Sequence, residues 1–330
     1  MTSPLSRSRP SRSFPASAFV VSVFFLALFI LCSSFLLTAC APAEQPLPSR
    51  DSRIPAEAVR QSPATDAHPP VLHLDGWREP VPLEGPVNTA GAEDSPFIAG
   101  DDLYFFFTPD VRVPPEKQLL DGVTGIYVSH RVDGAWTAPE RVLLQKPGKL
   151  ALDGCAFVDK DVLWFCSARE GYEGINWFSA ERKEGRWTGA TKIDFPAAYE
   201  VGELHVHGAE RYYHSPRAGG AGGLDIWTSE NVGGAWQEPV NLAVINSPEN
   251  DGWPFVTVDG NELWFTRTYQ GTPAIYRSLR EDGSWSAPEL VVSTFAGEPT
   301  LDAQGNLYFV HHYYKDNVML EADLYVAYKQ

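Results

Sequence analysis

From residue 94 onward the chain alternates short apolar stretches with polar turns, and the pattern returns five times. Each repeat opens at an acidic residue, crosses an apolar strand, turns at a polar pair and returns through an aromatic-rich strand. The first pairs residues 94–98 with 103–107, the second 153–158 with 162–166, and the third, more degenerate, 203–207 with 211–214. The fourth joins 251–256 to 263–266 through Asp259-Gly260-Asn261, and the fifth joins 298–301 to 307–310 through Gln304-Gly305-Asn306. Period-two alternation with Gly and Asn at the turns predicts hairpins. A third strand follows in each repeat, at 125–129, 175–179, 225–229, 274–278 and 323–327.

After the third strand comes a turn and a tryptophan, usually with a proline three residues on. The copies are Trp136 with Pro139, Trp187 without one, Trp236 with Pro239 and Trp285 with Pro288. A spacing of about fifty residues is that of propeller blades, and each tryptophan segment begins a fourth, outer strand. The fifth repeat has no such segment, but an orphan copy stands at Gly76, Trp77 and Pro80. The expectation is an all-β fold: a five-bladed β-propeller of four-stranded blades over residues 71–330. N- and C-terminal strands share one blade, which removes exposed edges. Six blades would need a repeat before Val71, where the composition is that of a linker.

The N-terminus reads as a targeting segment. Arg7, Arg9 and Arg12 form a basic leader, an apolar stretch spans 18–37, and Leu37-Thr38-Ala39-Cys40 closes it. This resembles a bacterial lipoprotein signal, so residues 1–39 are expected to be cleaved and Cys40 lipidated. An uncleaved membrane anchor is the rival reading. Either way the rest lies outside the cytoplasm, in the cell envelope. Ala41, where an aspartate would signal retention in the inner membrane, favours the outer membrane. Residues 40–70, rich in Pro, Ala and Ser, are expected to be a flexible linker.

Residues 215–229, with Trp236, Pro239, Asn241 and Leu242 and the Ile245-Asn246-Ser247 run, resemble the TolB-like, WD-type propeller repeat of bacterial envelope proteins. The match is strong over residues 202–290 and partial in repeats one, two and five, where the glycine run is absent or altered. The resemblance implies a propeller in the envelope. Members bind varied partners, so it implies no particular activity.

Without the leader the chain carries 23 basic against 42 acidic residues, or −19. That balance argues against nucleic acid or anionic lipid as partner. The expected partners are the membrane, through the lipid, and an envelope protein, peptide or glycan. No signature of a cofactor, a phosphate loop, a serine hydrolase elbow or a reactive cysteine is present, so no cofactor is expected. Cys155 and Cys166 face each other if Lys160-Asp161 forms a hairpin turn, and an oxidising compartment permits a disulfide there.

The start of a first strand and the end of a second lie at the same blade edge. That reasoning gathers Asp94, Asp153, Glu203, Asp251 and Glu298 around one channel mouth, with Arg169, Arg217, Arg267 and His312. Such a ring suits a polar ligand, or its arginines staple the blades through carboxylates. The first reading makes the protein a binding or interaction module. The alternative is a glycosidase-like enzyme using paired carboxylates at the mouth. His205, His207 and His214 are weak candidates for a metal. Tyr172, Tyr199, Trp253 and Tyr269 are aromatics outside the core register.

Overall fold

The computed structural model describes residues 47–146, 148–195 and 200–330. The expected signal peptide, Cys40 and Tyr199 lie outside the described residues. Among the described residues helix is confined to Arg50–Arg53 and Pro115–Gln118, so the described chain is all-β as its alternation predicts.

The described residues form five hairpin modules, each with three antiparallel strands. In order these are Ala92–Ala99, Asp102–Thr108 and Gly125–Val132; then Ala151–Asp159, Val162–Arg169 and Ile175–Lys183. The third module has Leu204–His207, Glu210–Ser215 and Asp225–Val232, and the fourth Asp251–Val256, Glu262–Tyr269 and Thr272–Glu281. The fifth has Ala296–Leu301, Leu307–Lys315 and Val318–Ala327. Hydrogen bonds group them into four sheets, because a parallel bridge from Ala322 to Ala92 joins the fifth module to the first. The first strands touch in sequence, module to module, and that of the fifth touches that of the first.

A short outer strand completes each module. In the second it is Arg186–Lys192, which runs unbroken. In the first, Ala135–Trp136 pairs with the third strand, Pro139 interrupts, and Glu140–Arg141 resumes the pairing. Proline lacks the N–H the ladder needs, so the modules that carry it have a split outer strand. The fifth module takes its outer strand from far upstream: Val81 pairs with Val326, Pro82 with Tyr325, and Trp77 bridges to Lys329.

The recurring tryptophan has a structural cause. Trp136 meets Tyr308, Trp187 meets Tyr104, Trp285 meets Tyr212 and Trp77 meets Trp264, each partner belonging to the preceding module around the sequence of contacts. A cation covers each ring from its own hairpin: Arg131 over Trp136, Arg182 over Trp187, Arg211 over Trp236, Arg280 over Trp285 and Lys329 over Trp77. Edge-on aromatic contact plus cation–π attraction fixes one module against the next.

Residues 47–70, expected as part of the linker, dock on the fifth and first modules instead. The Arg50 guanidinium lies over Phe107 and donates to the carbonyls of Pro86 and Val87. Further along, the Gln61 N–H donates to Glu321, and Asp66 meets His311. Composition alone suggests disorder because the segment carries no apolar period; its attachment is largely polar, with Ile54 packed on the core.

Candidate functional site

The five first strands converge on one cavity of about 50 Å3. Strand register aligns equivalent positions of the five strands around it. Phe97, Phe157, His205, Phe255 and Thr300 sit opposite Tyr104, Trp164, Tyr212, Trp264 and Tyr308, the same position of each second strand. Two residues earlier in each strand stand Ser95, Cys155, Glu203, Trp253 and Glu298, all of which line the cavity. Four of these five have left-handed backbones, with φ of 48°, 53°, 52° and 56° at Ser95, Cys155, Trp253 and Glu298. Each sits in a β-bulge where the register slips. A bulge re-aims the side chain of its extra residue. Left-handed geometry in a tryptophan or glutamate costs on the order of 1–3 kcal/mol, and such strain concentrates at functional sites.

Below this ring the cavity is closed. Phe97 and Phe157 lie 6.0 Å apart, Phe97 and Phe255 6.1 Å, and His205 packs 5.4 Å from Phe157 and 5.2 Å from Phe255. Burial, helped by His207, pushes the His205 imidazole down to about 3, so it serves this plug as a neutral ring.

The acidic ring expected at the mouth divides into two groups. Asp153 and Asp251 stand one position below the bulge glycines, fully buried. Asp153 accepts from Arg169 at 2.7 Å and from Ser167, while Asp251 accepts from Arg267 at 2.5 Å and from Ser247 at 2.7 and 2.8 Å. Arg169 lies over Phe178, Arg267 over Tyr276 and Arg217 over Trp227, within their own modules. These residues staple modules and do not line the cavity. The first module has Glu93 in that place, with Arg50 3.4 Å away. The sequence reading merged the two groups because acids were aligned by type, although they occupy three successive register positions.

The second group comes together. Ser95 Oγ donates to Glu298 at 2.6 Å and the Ser95 N–H donates to Asp94 at 2.8 Å, so one residue bridges the two carboxyl groups. His312 Nε2 stands 4.0 Å from Asp94. Burial, then the charge of Asp94, pushes Glu203 up to about 8. Burial, with Asp94 and Glu203, also raises Glu298 well above the usual carboxylate range. The site therefore holds two protonated carboxyl groups, Glu203 and Glu298, beside Asp94 at neutral pH.

Ser95 is not among the residues the sequence singles out, and His214, a metal candidate there, has a positioning role instead. His214 Nδ1 accepts from the Trp253 N–H at 3.2 Å and its ring lies 4.8 Å from the indole. Burial holds it down to about 4, hence neutral. Gly202 and Gly252 face it, and a Cβ on either would stand 1.8 or 2.8 Å from a ring nitrogen. His207 instead meets the Val258 carbonyl, so the three candidate metal histidines have separate roles, and no metal-binding cluster occurs among the described residues. Cys155 and Cys166 are joined in a disulfide with Cα atoms 5.4 Å apart, at the cavity rim. Among the other aromatic candidates, Tyr269 packs on Tyr276 and Tyr172 on Phe178, away from the cavity; Trp253 is the one that lines it.

No protein-family model matches the chain, and no curated protein matches it. Among solved structures it is similar to the GH43B protein of a Bacteroides ovatus xyloglucan PUL, at 13% identity and TM-score 0.44, covering 74% of this chain and 53% of that one. It is similar to the catalytic domain of Coprinopsis cinerea GH62 alpha-L-arabinofuranosidase, at 12% identity and TM-score 0.44, covering 76% of this chain and 95% of that one. TolB from Acinetobacter baumannii is also similar, at 10% identity and TM-score 0.39, covering 74% of this chain and 56% of that one. Identity this low leaves any activity to be argued from the residues themselves.

Proposed function

We propose that this protein is a five-bladed β-propeller enzyme that cleaves glycosidic bonds at the mouth of its central cavity. The cyclic contacts of the first strands and the upstream outer strand of the fifth module support the ring and its closure. One observation carries the activity. Among the described residues, Asp94, Glu203 and Glu298 converge with no arginine or lysine bonded to them, whereas Asp153 and Asp251 are held by Arg169 and Arg267. A binding scaffold has no need of unneutralised buried carboxyl groups, which are costly. Glycoside hydrolysis needs one carboxylic acid to protonate the leaving oxygen and one carboxylate on the other side of the bond. Glu203, protonated at neutral pH, is the donor in this reading. Asp94 is the base or nucleophile, with the Ser95 N–H fixing its geometry.

The proposal includes the envelope location. The Leu37–Cys40 box after a basic leader supports lipid attachment at Cys40, and loss of labelling by a fatty-acid analogue in Cys40→Ala cells tests it.

The activity is tested on the soluble domain from residue 47, incubated with envelope and plant polysaccharides and scored by mass spectrometry for released fragments. Fragments that vanish in Glu203→Gln support the reading. Retention on a polymer without release would make the protein a glycan-binding module and overturn it.

A further inference from the structure

A groove of about 740 Å3 opens between the second and third modules and shares Glu203, Trp253 and Cys155 with the central cavity. This volume lies in the range of sites that engulf a small ligand, roughly 300–1,000 Å3. The cavity beneath the carboxyl groups, about 50 Å3, holds a water or a hydroxyl but not a sugar ring. A sugar at the point of cleavage must therefore sit above it, against Trp253, with its neighbours in the groove.

Trp253 is built to be such a surface. A bulky aromatic with φ of 52° is a genuine backbone outlier, and its amide is committed to His214 Nδ1. Gly252 beside it leaves room for the His214 ring, whose position a Cβ would contest at 2.8 Å. The indole is thus held in place before any ligand arrives, which lowers the ordering cost of binding. Farther out, the groove wall includes Trp177, Asn176 and Lys192. Lys192 is already 3.7 Å from Asp194, and Glu200 and Glu203 also line the groove. Among the described residues no arginine lines it, and the chain is −16 overall, so a polyanionic sugar chain meets repulsion.

Resting on the glycosidase reading above, we propose that this groove holds the chain of a neutral oligosaccharide, with Trp253 as the platform for the sugar at the cleavage point. The rest of the chain occupies the space between Asn176 and His214.

The test uses the domain from residue 47, with Asn176→Trp to fill the groove away from the carboxyl groups and Trp253→Ala to remove the platform. Neutral hexasaccharides of glucose, mannose, xylose and arabinose are compared with a galacturonate hexamer and with small nitrophenyl glycosides. Asn176→Trp is expected to lower kcat/KM on a neutral hexasaccharide about tenfold or more, a loss of about 1.4 kcal/mol, and to lower nitrophenyl glycoside turnover several-fold less. Trp253→Ala is expected to raise KM for both. Unchanged hexasaccharide turnover in Asn176→Trp, or preference for the galacturonate hexamer, overturns the groove assignment and leaves the glycosidase reading standing. If the wild type cleaves nothing, that reading falls, and calorimetry decides the groove separately. Hexasaccharide binding lost in both variants supports it; binding absent or unaffected overturns it.

Discussion

Asp66 Oδ2 stands 2.8 Å from His311 Nε2, and the two side chains are 1% and 0% exposed. The contact ties a residue from the segment before the first module to the second strand of the last. Arg50 does the equivalent for Glu93, and Gln61 for Glu321. In the second and fourth modules the charged partner comes from the module's own strand, as with Arg169 and Arg267. The first and fifth modules borrow theirs from residues 47–70, which therefore belong to the folded domain.

A domain begun at Val71 should be less stable than one begun at Leu47, by about 2–4 kcal/mol, because Glu93, Glu321 and His311 lose buried partners. Thermal unfolding of the two versions measures this. Coincident melting curves would return the segment to the status of a linker.

Asp251 and Glu203 should part company under mutation. Asp251→Asn leaves the Arg267 charge without its carboxylate in a buried place. It is expected to cost about 3–5 kcal/mol of stability while the surviving folded protein keeps its turnover. Glu203→Gln should do the reverse, leaving the melting temperature unchanged or higher and abolishing fragment release. Stability curves and turnover on the same preparations separate the two, and loss of turnover with intact folding in Asp251→Asn would reinstate the undivided acidic ring.

The hairpins, their turns and the outer strand borrowed from residues 76–82 were legible because alternation and the tryptophan period express backbone geometry directly. The site was half legible. Asp94, Glu203 and Glu298 were named, but mixed with Asp153 and Asp251, since a β-bulge shifts the facing residue without marking the sequence. Only the pairing of Phe97 with Tyr104 and of its four counterparts fixes which residue points inward. The docking of residues 47–70 was not legible, because it rests on isolated polar contacts such as Asp66 with His311.

Stability should fall as pH rises from about 4.5 to 8. Burial raises Glu93, Glu203 and Asp323 to about 8 and Glu321 to about 7. In that window the unfolded chain has released these protons and the folded chain keeps them, so the folded state loses ground. His205 and His214, lowered to about 3 and 4, act oppositely and withdraw stability as pH falls below about 6.5. The four acids outweigh the two histidines, so a maximum near pH 4.5 is expected. Glu203→Gln removes one falling contribution, so its melting temperature should gain on the wild type steadily up to about pH 8. A gap independent of pH would show that Glu203 is ionised in the fold. Turnover, dependent on the same proton, should decline above about pH 8.

Gly202 and His214 should be energetically coupled. A methyl group on Gly202 would stand 1.8 Å from His214 Nε2, and the ring has Gly252 against its other nitrogen, so it has no easy retreat. Overpacking of this kind costs about 1–3 kcal/mol, and Gly202→Ala is expected to show it in denaturant unfolding. His214→Ala empties the space and leaves the Trp253 N–H without its acceptor, a loss of similar size. In the double variant the added methyl enters vacated room, so the combined cost should fall short of the sum by about 1–2 kcal/mol. Because His214 also fixes Trp253, His214→Ala alone should raise KM for a neutral hexasaccharide with a smaller effect on nitrophenyl glycosides. Additive costs would mean that the imidazole does not lie between the two glycines, and the case for a platform held ready for substrate would weaken with it.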